Sequence, residues 1–489
     1  MPPRQPGTLI GGAWQLTLLV LTTAPVGSTG AELLPSSGAN PPPNPVLSTT
    51  PPSPNESKPT PNFSWRGEWK GWEGFHFDLT RRTLLGELAP SVTNLPPVIP
   101  HLWSSEPGSP RTYQPNLAQA RMAGKIGVKF ALDAATYGHD SGLDDIDSGA
   151  EVRRARLYAK GDCLLVWPVS YELEMGYIPN EFYIESSYLQ FKNLGLPGTL
   201  KTGQYHVPMT LENVGSSRDM MFMESAAPLQ ALGPGVEAGF QLGRPILQRR
   251  MTWAFGLFTD GVGDDFGDAT EDFGRAVVRI TGLPIDNPAP EGSQVPHPQN
   301  LLHLGVSAYG LYAGANAVRY RTRPESHLAP YLIDTGSIES DGAIVVGGEA
   351  AWVDGPVSVQ GEFMHAWVRT ESNQEVDFHG LYGSASWFLT GESRPYDRDQ
   401  GIFSRVKPNR GLAPSQGGWG AWEIAGRVSH VNLNSEGVSG GRLTMGMAGL
   451  NWFLYSHLKW RLDYGVGHLS GGSRTGTLRL LQSRIEIDF

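Results

Sequence analysis

The chain has 489 residues, 61 of them glycine, 14 tryptophan and one cysteine, with a formal net charge of −10. A hydrophobic content of 39% is too low for a helical membrane protein, while a barrel hides its apolar residues at every second position. One cysteine, Cys163, excludes an intramolecular disulfide framework, and no Cys/His set stands at zinc-ligand spacing. The acidic balance argues against nucleic acid as a partner.

Residues 1–31 read as an export signal. Arg4 precedes the apolar run WQLTLLVLTTA, and the small residues of STGA offer cleavage near Ala31. Residues 32–62 are rich in Pro, Ser, Thr and Asn and read as an extended, disordered tether. Residues 63–120 form a periplasmic segment, with a short hairpin expected in SWRGEWKGWEGFHFDLTRR and a second Pro-rich linker after it.

From there to Phe489, residues 121–489, strand-length segments alternate with turn signals. They fall near 125–134, 150–160, 164–176, 181–193, 199–207, 236–243, 249–260 and 273–282. The second half gives 301–312, 343–354, 357–369, 377–390, 419–432, 442–454, 458–469 and 477–489. Sixteen is an even number, as bacterial barrels require, and the lengths centre near the 9–11 residues of a tilted transmembrane strand. Period-two alternation sets Leu304 and Val306 against His303 and Ser307. It sets Val359 and Phe363 against Gln360 and Glu362, and Leu481 and Ile485 against Gln482, Arg484 and Glu486. Tight connections (VDGP, LYSH) alternate with long polar ones (TDGVGDDFGDATEDFG, GHDSGLDDIDSG), and Trp387, Phe388, Trp452, Phe453 and Trp460 stand near strand ends as a membrane girdle would. The expected fold is an all-β, sixteen-stranded antiparallel transmembrane barrel in a bacterial outer membrane. A secreted β-rich binding protein is the alternative from another class.

Several motif matches lack the context their chemistry needs. GVSGG sits in a hairpin loop without a strand-to-helix turn, GVGDDFG has no helix behind it, and DSGLDDIDSGAE misses the EF-hand positions. No enzyme chemistry, cofactor or metal is expected.

The stretches GQYHVPMTLENVGSSRDMMFMES, LTGESRPYDRDQGIFSRVKP, WGAWEIAGRVSHVNL and GLNWFLYSHLKWRLDY resemble the phosphate-selective outer-membrane porins, the O and P porin family. VRRARLYAKG and VRYRTRPESHLAPYLIDTG are similar to further parts of it. The resemblance implies a trimeric porin whose long loops fold inward and narrow the pore, with phosphate or polyphosphate as cargo. A general, weakly selective porin is the alternative within that architecture. Outer-membrane lipid, lipopolysaccharide and, through Phe489, the barrel-insertion machinery would be its partners.

A porin performs no bond chemistry; it biases which ions enter a wet path. Anions need cationic donors, and phosphate suits the planar arginine fork. In VRYRTRP, Arg319, Arg321 and Arg323 fall on one face of an extended chain, about 6.6 Å apart, with Pro324 expected to keep the segment out of regular pairing. The resemblance implies that they form an inward loop's arginine ladder. Arg153 and Arg154 open the second strand, where Arg154, Arg156, Tyr158 and Lys160 share the lumenal parity. The connector from Pro208 to Gly235 is read as a constriction loop carrying Ser216, Ser217 and Arg218. His206 stands where members of that family carry lysine, which weakens one fixed cationic site. A last basic connector holds Arg394, Arg398, Arg405, Lys407 and Arg410, either entering the barrel from below or meeting a periplasmic partner.

Overall fold

The structure is a computed structural model that describes residues 62–70, 74–82, 119–143, 146–164, 167–178, 181–259, 274–287, 300–311 and 317–489. The expected export signal, nearly all of the tether and the linker that follows the hairpin lie outside them. Sixteen long strands follow in order. They are β1 (Gln119–His139), β2 (Gly149–Leu164), β3 (Pro168–Ile178), β4 (Glu181–Phe191), β5 (Thr199–His206), β6 (Val236–Ile246), β7 (Met251–Phe258) and β8 (Arg275–Asn287). The second half holds β9 (Asn300–Leu311), β10 (Ile338–Asp354), β11 (Val357–Thr370), β12 (Glu375–Phe388), β13 (Ala421–Ser435), β14 (Val438–Tyr455), β15 (Leu458–Ser470) and β16 (Gly476–Asp488). Each pairs antiparallel with its neighbour. The sheet closes where β16 meets β1, from Leu478 opposite His139 to Asp488 opposite Lys129. Closure leaves no barrel edge, which is the condition for crossing a bilayer with strands.

The wall follows the alternation in the sequence. Leu304, Val306, Val359, Phe363, Leu381, Ile424, Val428, Leu481 and Ile485 stand exposed on the outer face, where hydrocarbon covers them. Their polar neighbours His303, Gln360, Glu362, Glu423, Arg427, Gln482, Arg484 and Glu486 are buried inside. The girdle residues divide, because adjacent side chains take opposite faces. Trp387 faces out, and Trp452 stacks on Trp422 with ring centroids 4.8 Å apart. Phe388 and Phe453 instead point inward, in a small cluster with Val406 and Ala421.

Strand β1 starts earlier than the sequence pattern implies. Below the point where β16 ends, its free edge pairs with a hairpin formed by Asn62–Trp69 and Phe75–Arg82, with Phe75 opposite Ile126 and Arg82 opposite Gln119. The C-terminal residue sits in the corner this makes. Phe489 exchanges backbone hydrogen bonds with Val128 (2.9 and 3.1 Å), and its ring meets Trp69 edge-on at 5.8 Å.

Candidate functional site

Residues 207–235, between β5 and β6, turn into the lumen. Their buried apolar residues, Met209, Met221, Phe222, Leu229 and Leu232 among them, pack with Tyr309, Val345, Phe378 and Leu443 of the wall into a core inside the barrel. Two short helices form there, α1 (Leu211–Val214) and α2 (Ala227–Leu232). The Thr210 side chain accepts from Asn213 N, and the wall carboxylate Glu362 accepts from Leu211 N at 2.8 Å and Glu212 N at 3.0 Å, satisfying donors that a helix start leaves open. Helix α2 comes close to β12 because residue 380 is glycine: a Cβ there would stand 2.5 Å from Cβ of Pro228.

Between the helices the backbone is irregular and buried, so its carbonyls need partners. Four consecutive ones find them on four consecutive strands. Asn451 donates to Met221 O (2.8 Å), Arg461 to Phe222 O (2.8 Å), Arg484 to Met223 O (2.6 Å) and Arg427 to Glu224 O (2.9 Å). Asp463 accepts from Met223 N at 3.0 Å. The loop is thus fixed to the inner wall of β13–β16.

Facing this clamp, a cavity of about 150 Å³ brings together five of the residues singled out in the sequence: Arg153, Arg154, Arg156, His206 and Ser217. A bulge explains the first two. Ala131 opposes Arg154 while Leu132 opposes Val152, so Arg153 is the extra residue on β2. Both neighbouring arginines then reach inward. Arg153 donates to both carboxylate oxygens of Glu224 (3.1 and 3.3 Å), and Arg154 to Glu486 (3.2 Å). A second bulge, at Glu185 of β4, lets that carboxylate reach Arg156 (2.8 Å) and approach His206 Nε2 (4.0 Å). Burial opposes the charge on Glu224, but Arg153, Arg484 and Arg154 outweigh it and hold its carboxyl well below the ordinary value. Arg218 pairs with Asp488 and donates to Ser216 Oγ at 3.4 Å, so it and Ser216 lie beside the cavity rather than around it.

The arginine row lies on the connector between β9 and β10. Val318, Tyr320 and Thr322 are buried, with the Tyr320 ring 5.5 Å from that of Phe378 on the wall. The opposite parity carries Arg319, exposed, then Arg321 and Arg323, half-buried. Arg319 forks onto Asp334 (2.8 and 2.5 Å). That contact leads the causes that hold the Asp334 carboxyl below its ordinary value. Arg321 and Arg323 lie over the Tyr331 ring at 4.1 and 4.5 Å, and Arg323 also donates to His327 O (2.7 Å) and Ala329 O. Short pairings with Ile333–Asp334 and with residues 338–339 make the segment a lumenal hairpin, and it ends at Pro324. Glu325 follows with φ of 54° and no exposure. Its carboxylate accepts from Ala227 N (3.0 Å) at the start of α2, from Ser429 (2.5 Å), and pairs with Arg427 (2.7 Å). One side chain joins both loops and the wall, which offsets a backbone strain on the order of 1–3 kcal/mol.

A closed barrel with two loops folded inside it is the architecture of a channel narrowed from within. The family model for phosphate-selective porin O and P matches residues 125–475. The chain belongs to this family. The porin is 29% identical over 385 residues to an uncharacterized protein of Caulobacter vibrioides, covering 74% of this chain and 73% of that one. To Porin O of Pseudomonas aeruginosa it is 29% identical over 136 residues, 25% of this chain and 29% of that. Among solved structures it is similar to an anion-selective porin from Comamonas acidovorans (10% identity, 75% and 100% of the two chains, TM-score 0.48). Another is the outer-membrane protein OmpT of Vibrio cholerae (10% identity, 75% and 98%, TM-score 0.46). The protein is an outer-membrane porin, and its family and fold are those of channels.

The porin's basic connector, residues 389–420, enters from the other end. Tyr396, Ile402 and Phe403 are buried against Leu283, Leu301, Ala351 and Val353 of the wall. Arg394 reaches Gln360 (2.5 Å) and Asp219 O (3.3 Å), so the connector touches the loop of residues 207–235 inside the barrel. Arg398 pairs with Asp286 (2.6 Å), and Arg405 with Asp488. Lys407 and Arg410 are exposed.

Sequence reading missed two groups in the porin. One is the clamp: Glu325, Glu362, Arg427, Asn451, Arg461 and Arg484. Except for Glu325, which lies on the β9–β10 connector, their signal was available as polar residues on the lumenal parity of β11 and β13–β16. The other is a set of lumenal lysines on the opposite wall, of which the sequence pattern assigns only Lys160 to the lumenal parity. Lys125, Lys129 and Lys160 place Nζ 5.2, 5.2 and 5.6 Å from the Tyr158 ring, and Lys201 lies 3.8 and 4.0 Å from the rings of Tyr188 and Tyr205. Lys125 and Lys160 line a further cavity of about 830 Å³ at the end where the hairpin joins β1.

Proposed function

We propose that the porin conducts anions, with phosphate or polyphosphate as the cargo class, from Arg319 past Arg321 and Arg323 to the Arg153–Arg154–Arg156 cavity. The observation that carries this is the burial alternation of residues 318–323, which packs Val318, Tyr320 and Thr322 and turns the three guanidiniums to the other side. Carbonyl and ring partners at Arg323 orient the fork without neutralising it, so its charge stays available to a passing anion. The reading includes a homotrimer embedded in lipid and lipopolysaccharide. It also includes delivery to the insertion machinery through Phe489, and an export signal and periplasmic tether at residues 1–62.

A general, weakly selective porin is the second reading. It is favoured by the carboxylates that share the path: Asp334 on Arg319, Glu224 on Arg153, Glu486 on Arg154. Reversal potential across a planar bilayer in a salt gradient separates the two. The anion path requires an anion-selective sign, block of chloride current by added phosphate, and loss of both on replacing Arg319, Arg321 and Arg323 by alanine. A cation-selective sign, or a triple variant indistinguishable from the parent, rejects it.

A further inference from the structure

The outward face of β11 and β12 carries a group that membrane contact does not explain. His365 and His379 are direct register partners, and Asp377 stands two residues from His379 on the same face, opposite Trp367. Their inward neighbours Met364, Ala366, Val376 and Phe378 are buried, which fixes the three polar side chains on the outside. There they are set among exposed Phe363, Trp367 and Leu381. Two imidazoles and a carboxylate are expensive on a surface of that kind unless something holds them.

We infer that His365, Asp377 and His379 form a binding site for one divalent transition-metal ion of the zinc class on the outer surface of the barrel. One ligand atom from each lies within 4.8 Å of the others. His365 Nε2 and Asp377 Oδ2 are 3.4 Å apart. Two ligands at about 2.1 Å from a tetrahedral ion are separated by about 3.4 Å, so this edge already has the required length. His365 Nε2 is closed off from solvent and makes no hydrogen bond, so it is an orphaned acceptor or donor aimed at the carboxylate. The His365 and His379 rings lie nearly parallel, 17° apart with centroids at 5.9 Å. Ser435 Oγ lies 3.5 Å from Asp377 Oδ1, which leaves Oδ2 to the ion.

Two imidazoles with one carboxylate suit zinc, nickel or copper, whereas calcium and magnesium demand oxygen ligands. The remaining coordination positions point away from the wall and are filled by water or an oxygen of the surrounding amphiphile. The geometry is a cross-strand pair plus an i, i+2 neighbour. It depends on the β11–β12 register, so linear spacing carries no zinc motif.

The test is zinc titration of the full chain folded in detergent, followed calorimetrically. Cobalt absorption provides a ligand-sensitive spectrum, and quenching of Trp367, whose ring lies 4.2 Å from that of His365, provides a local signal. One ion per chain is expected. His365→Ala and His379→Ala should each weaken binding by at least about tenfold, and Asp377→Asn by a smaller factor. His430→Ala, an outward histidine on the neighbouring strand, should leave it unchanged. Because the replaced groups are on the outer face, His365→Gln serves where alanine disturbs folding. The inference is overturned if the parent binds no zinc, if His365 and His379 variants bind as the parent does, or if His430→Ala removes the same ion.

Discussion

Two sides of the lumen obey the same strand alternation and use it differently. On β11–β16, inward side chains terminate on loop backbone: Glu362 on the α1 amides, and Arg427, Asn451, Arg461 and Arg484 on the carbonyls of residues 221–224. On β1–β5, inward lysines lie over tyrosine rings beside a large cavity. The first side is a scaffold, where polar groups consume one another and immobilise the constriction. The second holds its lysines against aromatic rings and, at Lys129, against the Glu174 carboxylate. A count of basic residues per strand would not separate them; what separates them is whether an irregular backbone lies within reach.

The largest expected effect comes from breaking the scaffold at its shared point. Glu325→Ala leaves Arg427 buried without its closest carboxylate and frees Ala227 N, a local loss on the order of 3–5 kcal/mol. Both inward loops should loosen together, so single-channel conductance should rise and become noisy while the barrel stays folded. Unchanged conductance would mean that the wall carbonyl clamp alone suffices.

A smaller effect is expected on the lysine side. Lys201→Met keeps the stem between Tyr188 and Tyr205 but removes the charge. The cation–π contribution lost is about 0.5–2 kcal/mol, so thermal stability should hardly move. Anion current should fall with the constriction unchanged. A variant that loses stability but keeps its current would place Lys201 with the scaffold instead.

How far this division was legible beforehand differs by feature. The sixteen strands follow from strand-length segments between turn signals, and the lumenal parity was legible where alternation is clean, as at 301–312, 357–369, 419–432 and 477–489, because a membrane wall imposes that pattern locally on each strand. The shared face of Arg319, Arg321 and Arg323 was readable because any extended segment alternates its faces, in a connector as in a wall. The bulges at Arg153 and Glu185 were not, since an extra residue shows only against the partner strand. Nor were the partners of the clamp, which lie from 98 residues apart, as Glu325 and Ala227 do, to 261, as Arg484 and Met223 do. Adjacent aromatics misled for a simple reason: Trp387–Phe388 and Trp452–Phe453 cannot both face lipid, and the phenylalanines went inside.

pH sharpens the contrast further. Glu224 has its carboxyl held well below the ordinary 4.5 by Arg153, Arg484 and Arg154 against the opposing effect of burial. A depressed folded value means that its contribution is complete above the unfolded value and is lost only as pH falls through the folded one. Conductance should therefore stay level from pH 7 down to 4.5 as far as this anchor is concerned, and rise only in stronger acid. A rise already complete at pH 5 would show that Glu224 does not hold the loop.

The smallest expected effect lies at the corner where the chain ends. The Trp69 ring meets Phe489 edge-on at 5.8 Å, and such aromatic pairs contribute about 0.5–1.5 kcal/mol beyond their buried area. Trp69 is 60% exposed, so little else is lost with it. Trp69→Ala should lower the urea midpoint of the folded barrel slightly and leave ion selectivity untouched, because neither loop nor lysine set contacts it. The same replacement in a chain lacking residues 1–82 is impossible by construction, so the control is Phe489→Leu, which removes the ring from the other side. If the two single changes and their combination lower the midpoint by equal amounts, the edge-on pair is the interaction involved. If the effects add, each ring acts alone, and the hairpin owes its place to the backbone pairing of Phe75–Arg82 with β1.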